Sequence, residues 1–113
     1  MATRTPTLDR SSSRTTYVTW TGLLNGDDGG PAAVSGMDLV SWQITGTLGA
    51  GGSIQFEASN EATPANWGLV GAAQTALAMV VPADDVVARN FRPRVTAGDG
   101  TTSLVVNACF RLP

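Results

Sequence analysis

From Phe91 to Leu112 the chain alternates apolar and polar side chains almost without a break, and this period of two limits the fold more than any other feature. Phe91, Pro93 and Val95 alternate with Arg92 and Arg94. Ala97-Gly98-Asp99-Gly100 supplies a turn, because Asp-Gly tolerates the backbone conformations that tight reversals need. Leu104, Val106, Ala108, Phe110 and Leu112 then alternate with Ser103, Val105, Asn107, Cys109 and Arg111. The reading is a β-hairpin with one buried face, around which the rest of the chain packs.

Further runs carry the same signature. Tyr17–Leu24 reads as a strand with Val18 and Trp20 on one face, stopped by the turn cluster Asn25–Pro31. Met37–Leu48 is the clearest strand, with Val40, Trp42 and Ile44 on its apolar face; Gly46 marks a bulge or the close approach of a neighbouring backbone. The glycine turn 49–52 leads into Ser53–Ser59, with Ile54, Phe56 and Ala58 inward, and the two runs read as a second hairpin. Trp67 opens a short apolar run after a polar loop. Thr75–Val81 reads as a strand with Leu77, Met79 and Val81 facing in; 83–89 fits either a helical turn capped by Asp84 or a short edge strand. Seven or eight short strands punctuated by Gly, Pro, Asn and Asp, with no long helix, predict an all-β single domain: a β-sandwich or jelly roll over 15–113. Residues 1–14, rich in Thr, Ser and Arg around a lone Leu8, are expected to form an extended N-terminal arm.

Composition narrows the function. A chain of 113 residues with a net charge of −2 is one domain without the basic balance of a nucleic-acid binder. It holds no apolar run long enough for a membrane helix, no apolar segment of a secretory signal in 1–14, and a single Cys109, so no internal disulfide. Only 14% of residues are charged, below the usual ~25%, which suggests surface committed to contacts. All seven basic residues are arginine, whose planar fork suits protein interfaces.

With no histidine and no lysine, nucleophile–base and lysine-based catalysis have no residues to work with, and the acids read as surface carboxylates. No catalytic or cofactor site is expected. Asp27, Asp28, Asp84, Asp85 and Asp99 do not match the spaced ligands of a calcium loop, and no metal site is assigned. Trp20 and Trp42 fall on the apolar phase of their strands, which leaves Trp67 as the tryptophan expected at the surface.

The order SWQITGTLGAGGSIQFEASNEATPANW, followed by FRPRVTAGDGTTSLVV, resembles a family of small tailed-bacteriophage virion proteins, the capsid decoration or cement proteins. The likeness spans roughly 38–112. Its most specific part runs from Arg92-Pro93-Arg94 to Gly98-Asp99-Gly100-Thr101-Thr102; the chain departs from the family at Ala58-Ser59-Asn60-Glu61-Ala62, where Gly-Ser-Asn-Asp-Gly is usual. The resemblance implies a non-enzymatic β-sandwich on the virion surface that binds the major capsid protein and stabilises its lattice. It also implies self-association, with a homotrimer preferred over a dimer. Arg4, Arg10 and Arg14 of the arm, together with Arg92, Arg94 and Trp67, are then the candidate interface residues. The alternative is a tail or head-fibre module binding a host-surface carbohydrate through a patch centred on Trp67.

Overall fold

The computed structural model describes residues 2–10 and 12–112; Met1, Ser11 and Pro113 lie outside the described residues. Among the described residues the strands are β1 (Thr3–Arg4), β2 (Thr7–Asp9), β3 (Thr15–Leu23), β4 (Asp28–Gly29), β5 (Ala32–Ala33), β6 (Asp38–Thr47), β7 (Ser53–Ser59), β8 (Gly68–Leu69), β9 (Met79–Val80), β10 (Asn90–Ala97) and β11 (Ser103–Arg111). They form two sheets. One is ordered β1-β4-β10-β7-β8 with β5 also on β10; the other is β2-β3-β11-β6-β9. From β3 onward the chain changes sheet at every link except β4–β5 and β7–β8, which gives a jelly-roll-like β-sandwich.

Both expected hairpins are corrected by this topology. β10 lies in one sheet beside β7, while β11 lies in the other between β3 and β6. β6 and β7 are likewise split between sheets. The alternation is read correctly, but two amphipathic strands can bury their apolar faces by facing each other across a core as well as by pairing edge to edge. Here they face. The links 48–52 and 98–102 are therefore arches at one end of the sandwich, and they clasp each other. Ala50 N–H donates to Asp99 Oδ2 at 2.9 Å, and Thr102 Oγ1 donates to the Leu48 carbonyl at 2.9 Å.

The core carries the predicted inward residues: Val18, Trp20, Trp42, Ile44, Ile54, Phe56, Phe91, Val95, Leu104, Val106, Ala108 and Phe110 are buried. Its centre is an aromatic chain across the two sheets. Phe56 stacks on Trp42 at 5.0 Å and lies 5.9 Å from Phe91, which in turn lies 4.9 Å from Phe110. Val40 is only half-buried, because a register shift opposite Cys109–Phe110 places Leu39 against the core instead.

The expected N-terminal arm is not what the structure shows. Thr3–Arg4 pairs in parallel with β4, and Thr7–Asp9 pairs antiparallel with β3, so this segment closes one edge of each sheet. The opposite edges are closed by 68–80, through β8 on β7, a bridge of Gln74 to Ile54, and β9 on β6. Unpaired sheet edges attract other strands, and both flanks are covered in this way.

Candidate interaction surface

The segment that covers the second flank carries no charged side chain from Ala62 to Ala83. Leu77, Met79 and Val81, expected to face the core, face outward instead: Met79 is 64% and Val81 68% exposed. Only Met79–Val80 pairs as strand, and Val87 meets Asp38 in an isolated bridge, so 83–89 is neither helical turn nor regular edge strand. The reason is capacity. The interior is already filled by the long strands, and the segment 68–88 packs against it only through Val70, Val80, Val86 and Ala88. Leu69, Leu77, Met79, Val81 and Val87 are left as an exposed apolar group on one flank.

The outer face of the sheet built on β3, β11 and β6 adjoins this flank. Tyr17, Thr19, Asn107, Cys109, Ser41 and Gln43 stand on it, and the charged Asp9, opposite Tyr17, and Arg111, next along β11, stand at its end. A shallow hollow there, between Tyr17, Cys109, Gln43 and Met79, joins the face to the flank. Burial pushes the Cys109 thiol up from its usual range, against weaker opposing effects of Tyr17 and Arg111, so it is not poised as a thiolate nucleophile.

The outer face of the other sheet is charged and internally paired. Arg92 is 17% exposed; its Nε lies 2.8 Å from Glu57 Oε1 and its Nη1 3.5 Å from Asp28 Oδ2. Arg94 Nε lies 3.4 Å from Asp28 Oδ1. The Arg92 guanidinium also sits 4.3 Å from the centre of the half-buried Trp67 ring. The structure therefore brings Arg92, Arg94 and Trp67 together, with their charge and ring face engaged inside the molecule.

The other three candidate arginines, Arg4, Arg10 and Arg14, are apart. Arg4 pairs with the buried Asp27 at 3.0 Å, while the exposed Arg10 and Arg14 donate to the carbonyls of Ala33 and Leu112 at 3.3 and 3.5 Å. Asp27 also accepts from Leu24 N–H and Ala2 N–H, both at 2.9 Å. Burial pushes its carboxyl pKa up, but these bonds and Arg4 outweigh that and hold it below the usual carboxylate range. Asp99 is spent on the arches: its carboxylate accepts from the Thr101 hydroxyl, from Ala50 N–H and from Thr101 N–H, which lowers its pKa to about 2.

Two buried polar atoms lack a hydrogen bond among the described residues: Asp28 Oδ1, which Arg94 Nε approaches only at ion-pair distance, and Trp42 Nε1. Trp20 Nε1–H donates to the Gly30 carbonyl at 2.8 Å, whereas Trp42 Nε1–H has no acceptor among the described residues. An unpaired buried donor of this kind costs about 1–3 kcal/mol. Trp42 lies beneath the apolar flank, in the wall of a hollow lined by Val70, Val80, Val81, Pro82 and Val86. Sequence reasoning missed this surface. The available signal was the charge-free run itself, too rich in Gly, Ala and Pro to be a core strand and too apolar to be an ordinary loop.

No family model matches the chain, and no curated protein matches it. A solved structure that does match is a cupin domain from Bordetella pertussis Tohama I, at 14% identity and a TM-score of 0.49, covering 96% of this chain and 91% of that one. The likeness is too slight to bear on function. No phage virion protein is among the matches, and the resemblance drawn from 38–112 is corrected: it is not borne out and is carried no further. The stretch that suggested it is accounted for by local physics. Alternation serves a strand with one buried face, and Gly98-Asp99-Gly100-Thr101-Thr102 makes a side-chain-capped arch that any sandwich could use.

Proposed function

We propose that the chain is a non-enzymatic structural module that associates with itself and with a protein partner through the apolar flank and the hydroxyl- and amide-rich sheet face beside it. The observation that carries this reading is the exposure of Leu69, Leu77, Met79, Val81 and Val87 on one flank, in a segment without charge from 62 to 83. An interface core is depleted in charge and enriched in Met and aromatic residues, and Met79 and Tyr17 stand on this surface. The sequence offers no histidine or lysine for acid–base or nucleophilic chemistry. Coating a repeated protein lattice, such as a capsid shell, is one form of this function.

The test is sedimentation of the wild-type protein and of the double variant L77E/M79E over a hundredfold range of concentration. Both side chains are exposed, so the variant should fold. The expected result is a wild-type oligomer and a monomeric variant. A wild type that stays monomeric and binds no capsid shell on co-sedimentation overturns the proposal. The carbohydrate alternative is not favoured, because Arg92 already covers one face of the half-buried Trp67 ring.

A further inference from the structure

Two hollows adjoin on the apolar flank. One, of about 330 Å³, lies between the end of β7, the β8 segment and Val86–Ala88. The other, of about 320 Å³, is walled by Trp42 and by the stretches around Val70 and Val80–Asp84. They share Val70, Gly71 and Val86, so one continuous guest can enter both. Asp84 is the one charged residue in the lining of either. Asp84 and its neighbour Asp85 are exposed and make no ion pair among the described residues, and Arg89 lines a different recess beside Ala33 and Asn90. Trp42, 1% exposed, walls the second hollow, and its own Nε1 is buried away from it.

We propose that these hollows take an extended apolar segment of a partner polypeptide. Alternate side chains of an extended chain lie roughly 6.6 Å apart on one face, which suits two adjoining hollows with a shared ridge. An apolar side chain of the guest packs against the Trp42 wall of the second hollow. A basic residue at its end meets Asp84 and Asp85, and an acidic end is repelled. The inference rests on the flank being a protein-binding surface, and it adds where the guest lies and what chemistry it carries.

The test uses the full chain with 15N-labelled tryptophan, following the Trp42 indole N–H signal, which is assigned through contacts with the stacked Phe56 ring. The probe is the capped peptide acetyl-Leu-Ser-Leu-Arg-amide. It should shift that signal saturably, with at least fivefold weaker binding for the same peptide ending in Glu. Asp84→Asn with Asp85→Asn should abolish that difference, and Val81→Glu, at an exposed position, should abolish binding. Equal shifts from acetyl-Ser-Ser-Ser-Arg-amide, or no movement of the Trp42 signal, overturn the inference. If the signal stays still while L77E/M79E still disrupts self-association, the hollows fail and the flank reading stands. If the peptide binds but the wild type neither self-associates nor binds a shell, the assembly reading fails and the hollows stand.

Discussion

The carboxylates of Asp27, Glu61 and Asp99 are each used as fixed acceptors that tie loops to the sandwich. Glu61 accepts from Ala65 N–H at 2.9 Å, from Asn66 N–H at 2.6 Å and from Asn66 Nδ2 at 3.1 Å, which pins the loop before Trp67 and lowers its pKa from 4.5 to about 2. A carboxyl with a folded pKa below its unfolded value adds stability above the unfolded value, and that stability is lost as pH falls through the folded one. All three shifts have this sign. The unfolding midpoint should therefore hold steady from neutral pH to about 5 and drop between about pH 4.5 and 2. Glu61→Gln should make that drop shallower, as thermal melts across the pH range will show. A midpoint that rises on acidification would contradict the assignment. Little of this was legible in the sequence. Asp99 stood out as a turn former, but the acceptance of three donors by Glu61 depends on where residues 65 and 66 return. The pairing of Arg4 with Asp27 depends on the first residues lying along β4 instead of leaving the domain.

At the level of elements, alternation identified the inner residues of β3, β6, β7, β10 and β11, because burial of one face is a local property of a strand. It did not distinguish arch from hairpin, because the choice of partner is made by the whole core. The same limit explains Leu77, Met79 and Val81. Their spacing fits a buried strand, but no core volume remained for them. Gly46 was legible in advance, and the structure gives its reason. Its φ is +107°, and a Cβ there would lie 2.3 Å from the Ser103 carbonyl oxygen on the neighbouring β11. Gly46→Ala should thus meet both a left-handed backbone and a collision with backbone that cannot step aside. The expected loss exceeds about 1 kcal/mol, since an incompatible Gly→Ala change costs more than the ~0.4–1 kcal/mol a compatible one gains. Gly51→Ala, also at positive φ but with open space around it, should cost less. Urea unfolding of the pair separates the collision from the backbone strain: equal losses would show that the collision contributes nothing.

For the molecule as a whole, the two sheets differ in what they show to solvent. One presents the paired arginines and acids of Arg92, Arg94, Asp28 and Glu57; the other presents mainly hydroxyls and amides, with Asp9 and Arg111 at one end, running into an apolar flank. A chain with this asymmetry leaves exposed a surface whose burial is favourable at ~25 cal/mol per Å² of apolar area, and assembly is the way to bury it. Anything that binds the folded state alone raises its stability by mass action, including a second folded copy. The melting temperature should consequently rise with protein concentration. At a hundredfold excess over the dissociation constant the gain is about 2.7 kcal/mol. At roughly 4 °C per kcal/mol for a domain of this size, that is on the order of 10 °C. The variant L77E/M79E should melt at one temperature at every concentration, and that temperature should match the dilute wild type, because neither side chain supports the core. Scanning calorimetry of both proteins from micromolar to near-millimolar concentration measures this directly. A wild-type midpoint independent of concentration would mean that copies of the chain do not meet through this flank, and would leave the surface to a partner of a different kind.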